Sequence, residues 1–238
     1  MNPLALINPA FTWADSLGLA LLIVLWLLVG RTIEHPPAAW PSVSVIMERY
    51  RKDWLQEFVT REPRIFDIAL IESLRQSTAF FTSASMIAIG GGVAVIGNSA
   101  TVQGLAADLT ILQAGDLIRL KFVVVVGFLA NALLKFIWSH RLFSYCGILM
   151  GAVPNDPLAA TAPLRAAQAA EINITAARNF NRGLRSIYTA LGTLGWLIGP
   201  WGLLAGTVLT QGLLMRREFA SQSRAALLAT TLSDAALR

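Results

Sequence analysis

The chain has 238 residues, 55% of them apolar and only 14% charged, with a net charge of +5. A soluble domain carries about 25% charged residues, so the deficit excludes an ordinary soluble protein and points to one all-α polytopic membrane domain over 1–238. The basic excess does not imply nucleic acid, because no nucleic-acid-binding motif accompanies it, and the single Cys146 excludes an intrachain disulfide.

Residues 1–14 hold no Lys or Arg, so the charged region that opens a signal peptide is missing and the first apolar run is expected to be retained. Four segments are long and apolar enough for a hydrocarbon core of about 30 Å, at about 11–30, 77–97, 117–138 and 187–214. The connections at 31–76 and 139–186 carry most of the basic residues, while 98–116 has no Lys or Arg. The positive-inside rule puts the two basic connections in the cytoplasm and the N-terminus on the opposite side.

The connections read as more than loops. Met47, Tyr50, Trp54 and Phe58, then Ile65, Ile68 and Ile71, recur at helical spacing. After Asp156-Pro157 an alanine-rich stretch of helix formers runs to 185. These are expected as cytoplasmic helical extensions of the spans. His35-Pro36-Pro37 and Trp40-Pro41 mark a break after the first span.

The fourth segment is the most patterned. Gly192, Gly195, Gly199, Gly202 and Gly206 follow a three-four repeat, the seam of a single helix. In a bilayer such a seam lets another backbone approach closely. Span two carries a second row, Ala84, Ala88 and Gly92. Both rows are expected as helix-packing or oligomer contacts. Four crossings put the tail at 215–238 on the outside, although Arg216, Arg217, Arg224 and Arg238 lie in it. The alternative is a re-entrant segment that breaks near Gly199-Pro200. At roughly 42 Å of helix the segment suits one kinked crossing, and the earliest spans usually set orientation, so one crossing is the expectation.

Span three holds the costliest residues. Asn131 and Lys135 are four apart on one face, with Arg119 and Lys121 toward one end and His140 and Arg141 toward the other. Lys135 either snorkels to the interface or faces the interior with Asn131, to meet an anion, a lipid headgroup or a carboxylate such as Asp67 or Glu72. Arg141, Arg182 and Arg185 complete this candidate polar or anion site. No cofactor or metal is expected. The two histidines, His35 and His140, form the pair that a haem site would need, but nothing else in the chain accompanies them. Neither G-x-S-x-G nor a Walker loop occurs. No catalytic residues are expected.

Several ordered motifs run along nearly the whole chain. They begin with Met47-Glu48-Arg49-Tyr50-Arg51-Lys52-Asp53-Trp54 and Arg61-Glu62-x-Arg64-Ile65-x-Asp67. Next come Leu74-Arg75-x-Ser77-x-Ala79-Phe80-Phe81 and Lys135-Phe136-x-Trp138-Ser139-x-Arg141. Phe180-Asn181-Arg182-Gly183-Leu184-Arg185, Gly199-Pro200-Trp201 and Arg216-Arg217-Glu218-Phe219 close the series. From about Leu17 to Arg224 the chain resembles a bacterial integral membrane family of unknown function, domain-of-unknown-function family 599. The resemblance implies a roughly four-span inner-membrane protein and brings no activity, cofactor or catalytic residue with it.

The expected function is a non-catalytic inner-membrane protein acting as an oligomer, with a conduit for ions or small solutes as one form. The alternative is an accessory or assembly subunit of a larger respiratory or photosynthetic complex; an enzyme acting on lipid headgroups is a third reading. The expected partners are the bilayer, further copies or other membrane subunits, and anionic lipid headgroups.

Overall fold

The computed structural model of the protein describes residues 11–98 and 115–236, with side chains at 11–98 and 117–229. Most of the connection expected at 98–116, which holds no Lys or Arg, and Arg238 of the tail lie outside the described residues. Seven α-helices occur among the described residues, and no strand. They are α1 (Trp13–Glu34), α2 (Val43–Glu57), α3 (Ile65–Gly97), α4 (Gly115–Gly151), α5 (Ala162–Thr193), α6 (Pro200–Phe219) and α7 (Gln222–Ala236), with a 3₁₀ turn at Leu194–Ile198 between α5 and α6. Three of them are long and apolar enough to cross a membrane: α1, α3 and, from Leu117 onward, α4.

The continuous fourth span expected over 187–214 is not formed. Its residues are divided between α5, the 3₁₀ turn and α6. Gly199 ends the turn at φ 114°, a conformation that costs a glycine little and an L side chain much. Pro200 then opens α6, where its missing N–H leaves no bond unmade. Beyond the turn the chain doubles back. A Cβ on Gly195 would overlap the carbonyl oxygen of Gly202, and one on Gly202 would overlap that of Gly195. Gly192 and Gly206 oppose each other in the same way. Further from the turn, Gln211 Nε2 donates to Thr189 Oγ1 at 3.1 Å. The glycine seam is therefore not one face of one helix. It is two facing half-seams that close a helical hairpin on itself.

The chain divides into two compact units, each assembled from separated stretches of sequence. The first comprises 1–30, 84–132 and 184–214. Its core is Leu22, Trp196 and Leu203, with Leu19, Val124 and Phe128 packed around them. α1 carries its buried positions at Ala14, Asp15, Gly18, Leu22, Val29 and Ile33, a stripe at helical spacing, and turns Leu17, Ile23, Val24, Leu27 and Leu28 outward. Trp26 stands edge-on to Phe128 at 5.4 Å, and Gly18 lies against Leu203.

The second unit comprises 31–83, 133–183 and 215–238. Its core gathers Leu55, Phe58, Ile71, Cys146 and Met150 against a row of small residues on α5, Ala162, Ala169 and Ala170. Ser42 caps α2 by accepting from Val45 N at 3.2 Å and donates to Ile33 O at 2.7 Å. Arg64 gathers the backbone oxygens of Val59, Val153 and Pro154 at 2.9–3.1 Å, so one guanidinium satisfies carbonyls from two loops. The tail belongs to this unit. Glu218 accepts from Ser44 N and Ser44 Oγ, both at 2.9 Å, and Arg224 Nε donates to Pro41 O at 3.0 Å.

Candidate functional site

The most costly group in the first unit is Lys121, 1% exposed on an apolar helix. A bare ammonium there would be prohibitive, so its partners matter. Its Nζ donates to Trp196 O at 2.7 Å and stands 5.5 Å from the centre of the Trp196 ring, a cation–π distance. Trp196 is fully buried, and its indole Nε1 donates to Asp15 Oδ1 at 2.6 Å. The other oxygen of Asp15 accepts from Thr12 N at 2.9 Å and Thr12 Oγ1 at 2.6 Å. Thr12 and Asp15 thus close a capping box at the start of α1. Asp15, Trp196 and Lys121 form a connected polar network across three helical segments.

The site sits at the hairpin turn because the turn exposes carbonyls. Trp196 O already accepts from Gly199 N at 3.0 Å, and the ammonium satisfies the second lone pair. Each group holds another in place: Asp15 orients the indole, the indole lies under the ammonium, and the ammonium caps the turn. Both carboxylate oxygens are engaged, and no nucleophile adjoins them in the network described. The arrangement can lock a turn and hold charge inside apolar surroundings. Two further polar contacts line the same unit, Asn131 Nδ2 to Ser186 Oγ at 2.6 Å and the Gln211–Thr189 bond. Thr207 Oγ1 is buried without a hydrogen-bond partner.

The five residues expected to form a polar or anion site are divided between the two units. Asn131 is taken by Ser186. Arg185 is 8% exposed, with its Nε about 4.0 Å from a Cβ placed on Gly30. Both lie in the first unit, whereas Lys135, Arg141 and Arg182 lie in the second. Arg182 is held by Glu34 through Nε at 2.8 Å and Nη2 at 2.5 Å, and that carboxylate raises its pKa above the ordinary value. Arg141 lies along the ring of Tyr145. Lys135 is half-buried and makes no ion pair among the described residues. The carboxylates considered for it are engaged elsewhere. Asp67 binds Trp54 Nε1 and Arg61 Nη1, each at 2.6 Å, and Glu72 binds Arg75 at 2.7 Å.

Of the packing residues, Gly192, Gly195, Gly202 and Gly206 face one another inside the hairpin, and Gly199 makes its turn. Gly92 lies against Val126, Ala84 is half-buried and Ala88 is exposed. Among the described residues no group of three His, Cys, Asp or Glu side chains is placed to hold a metal ion. His140 Nδ1 lies 3.1 Å from Thr78 Oγ1. Sequence reasoning noted Lys121 but missed that Trp196 joins it to Asp15. The available signal was two charges on apolar segments, each of which needs a buried partner.

A family whose description reads "Protein of unknown function, DUF599" matches residues 17–223. The chain belongs to that family. No curated protein and no solved structure matches it.

The motifs that carry the DUF599 resemblance acquire physical roles in the second unit. Phe136 is fully buried, stacked on Phe81 at 5.4 Å and tilted against Phe180 at 5.5 Å. Gly183 is glycine because a Cβ there would stand 2.6 Å from Phe136 Cε1. Arg178 pairs with Glu48 at 2.7 Å and Lys52 with Glu171 at 2.8 Å, tying α2 to α5. The hydrogen bond that Lys52 donates to Glu171 holds its ammonium above the ordinary pKa, and burial pushes the Arg51 guanidinium down. Arg51 donates to Asn173, which in turn reaches Cys146 Sγ at 3.6 Å. The charged residues of these motifs therefore serve largely as clamps between helices.

Proposed function

We propose that this DUF599 protein is a non-catalytic integral protein of the bacterial inner membrane that works by self-association through α3. The observation that carries the reading is the bareness of that helix. Only 6% of its apolar window is buried, against 22% for α1 and 28% for α4. Ser83, Ile87, Gly90, Ala94 and Gly97 are all exposed and spaced four, three, four, three. A Cβ on Gly90 or Gly97 would meet nothing within 4 Å. Small residues gain little from lipid, but they let a second helix come close, and packing then supplies the association energy. The oligomer contact thus moves from the hairpin glycines, which are used internally, to this open row. A passage for ions or small solutes, if the protein forms one, lies between copies.

The hairpin also bears on topology. With α1, α3 and α4 as crossings, an α5–α6 pair that enters and returns leaves the tail beside the two basic connections. Arg216, Arg217 and Arg224 then obey the positive-inside rule, which a fourth single crossing would violate. The bonds from Glu218 to Ser44 and from Arg224 to Pro41 support the same side for the tail.

The test is cysteine crosslinking in native membranes, with Cys146, which is buried, replaced by alanine. Gly90→Cys and Ala94→Cys are expected to give a disulfide-linked species of twice the chain mass, and Val24→Cys on exposed α1 to give none. Adducts to a stoichiometric foreign chain would instead assign the accessory-subunit role to the same face. A chain that stays monomeric at all three positions would sink the association reading. Flux in proteoliposomes of the crosslinked form decides whether the assembly conducts.

A further inference from the structure

We propose that the second unit holds one anionic phospholipid in a groove between the N-terminal turns of α3 and the C-terminal turns of α4. The inference rests on residence in the bilayer and not on self-association. The groove is a cavity of about 510 Å³, within the range of small-molecule sites. Its walls are apolar, with Ile68 and Ile71 from α3 facing Phe143 and Ile148 from α4. Ile68 and Ile148 are 63% and 69% exposed, so the apolar surface continues outward onto two helices long and apolar enough to cross a membrane. An occupant with a hydrocarbon chain can reach the groove from the bilayer along those helices.

The polar part of the lining selects the headgroup. Arg64 and Arg75 contribute two positive charges against Glu72. Arg64 is committed to the carbonyls of Val59, Val153 and Pro154 and to Asn155, so it fixes the rim. Arg75 is the available cation. Its Nε is buried without a hydrogen-bond partner among the described residues. Its ion pair with Glu72 is an i,i+3 contact whose carboxylate is 64% exposed, the kind worth little in water. A phosphate displaces that contact cheaply and satisfies the orphan N–H, while the acyl chain covers Ile68, Ile71 and Ile148. A neutral zwitterionic headgroup brings the same chain but a cation of its own.

The test is native mass spectrometry of the delipidated full chain in mild detergent, titrated with phosphatidylglycerol or phosphatidylcholine of identical chains. The wild type is expected to hold one phosphatidylglycerol per chain, at about tenfold higher affinity than phosphatidylcholine, whose phosphate is the same but whose choline cation offsets the attraction to Arg75. Arg75→Gln is expected to erase the preference while keeping one bound lipid. Gly151 also lines the groove and has no atom within 4 Å of an added Cβ, so Gly151→Leu is expected to fill the space and lower occupancy by both lipids. Equal affinity of the wild type for the two lipids would overturn the proposal, as would undiminished occupancy in a folded Gly151→Leu. If Gly151→Leu does not fold, the headgroup comparison with Arg75→Gln decides. Release of the wild-type chain from membranes without detergent would overturn the bilayer reading itself, and this proposal with it.

Discussion

At the scale of single residues, Lys121 concentrates the most free energy. Its charge is out of water and offset by one carbonyl, one indole face and the neighbouring Asp15 carboxylate. Removing one partner from such a network strands the others. Lys121→Met is therefore expected to destabilise the protein by about 3 kcal/mol, read as a lower unfolding temperature in detergent. Asp15→Asn keeps an acceptor for the indole and is expected to cost less, about 1–2 kcal/mol. Gly183 offers a sharper contrast. Phe136 beside it cannot yield, because Phe81 and Phe180 flank its ring, so Gly183→Ala is expected to cost about 1–3 kcal/mol. The same substitution at Gly91, where a Cβ meets nothing, is expected to be neutral or to stabilise by up to about 1 kcal/mol through helix propensity alone. Paired thermal melts check both.

Among the elements, the hairpin separates what the sequence could show from what it could not. Gly195→Leu or Gly202→Leu is expected to pry the arms apart, because the backbone carbonyl opposite each cannot move aside. A disulfide between cysteines placed at Thr189 and Gln211, hydrogen-bonded at 3.1 Å, is expected to form in the parent and to fail in the leucine variants. Gly199→Ala is expected to cost about 1–3 kcal/mol through its positive φ. The helical character of the chain and its three longest apolar helices were legible, because period and length are local properties. The pairing of the glycines was not. A three-four repeat looks the same whether it lies on one helix or is shared between two that face each other across a turn. The marks that discriminate are Gly199-Pro200 and the basic tail, which the segment's length and the orienting weight of the earliest spans outweigh in a sequence reading. The partners of the polar residues were hidden for a related reason. Asn131 and Lys135 share a helix face, yet Asn131 found Ser186, a residue 55 positions away, which no local spacing reveals.

For the whole molecule, the testable quantity is sidedness. Residues 41–44 and the tail are joined through Glu218 and Arg224. Lys52→Cys and Arg217→Cys, in a chain lacking Cys146, are therefore expected to react with an impermeant maleimide from the same face of the membrane, and Trp13→Cys from the other. Labelling of Arg217→Cys from the face of Trp13→Cys would restore the single fourth crossing. The closed hairpin carries a consequence for how the polypeptide is made. The arm from 184 to 193 presents Thr189 and the bare backbone of Gly192, which meet Gln211 and Gly206 only when α6 has been synthesised. Neither arm is a stable passenger in lipid by itself, so the two are expected to enter the bilayer together and late. Until Trp196 arrives, the ammonium of Lys121 and the carboxylate of Asp15 lack the group that joins them, and a ribosome stalled before residue 200 would leave an early-made substrate for membrane proteases.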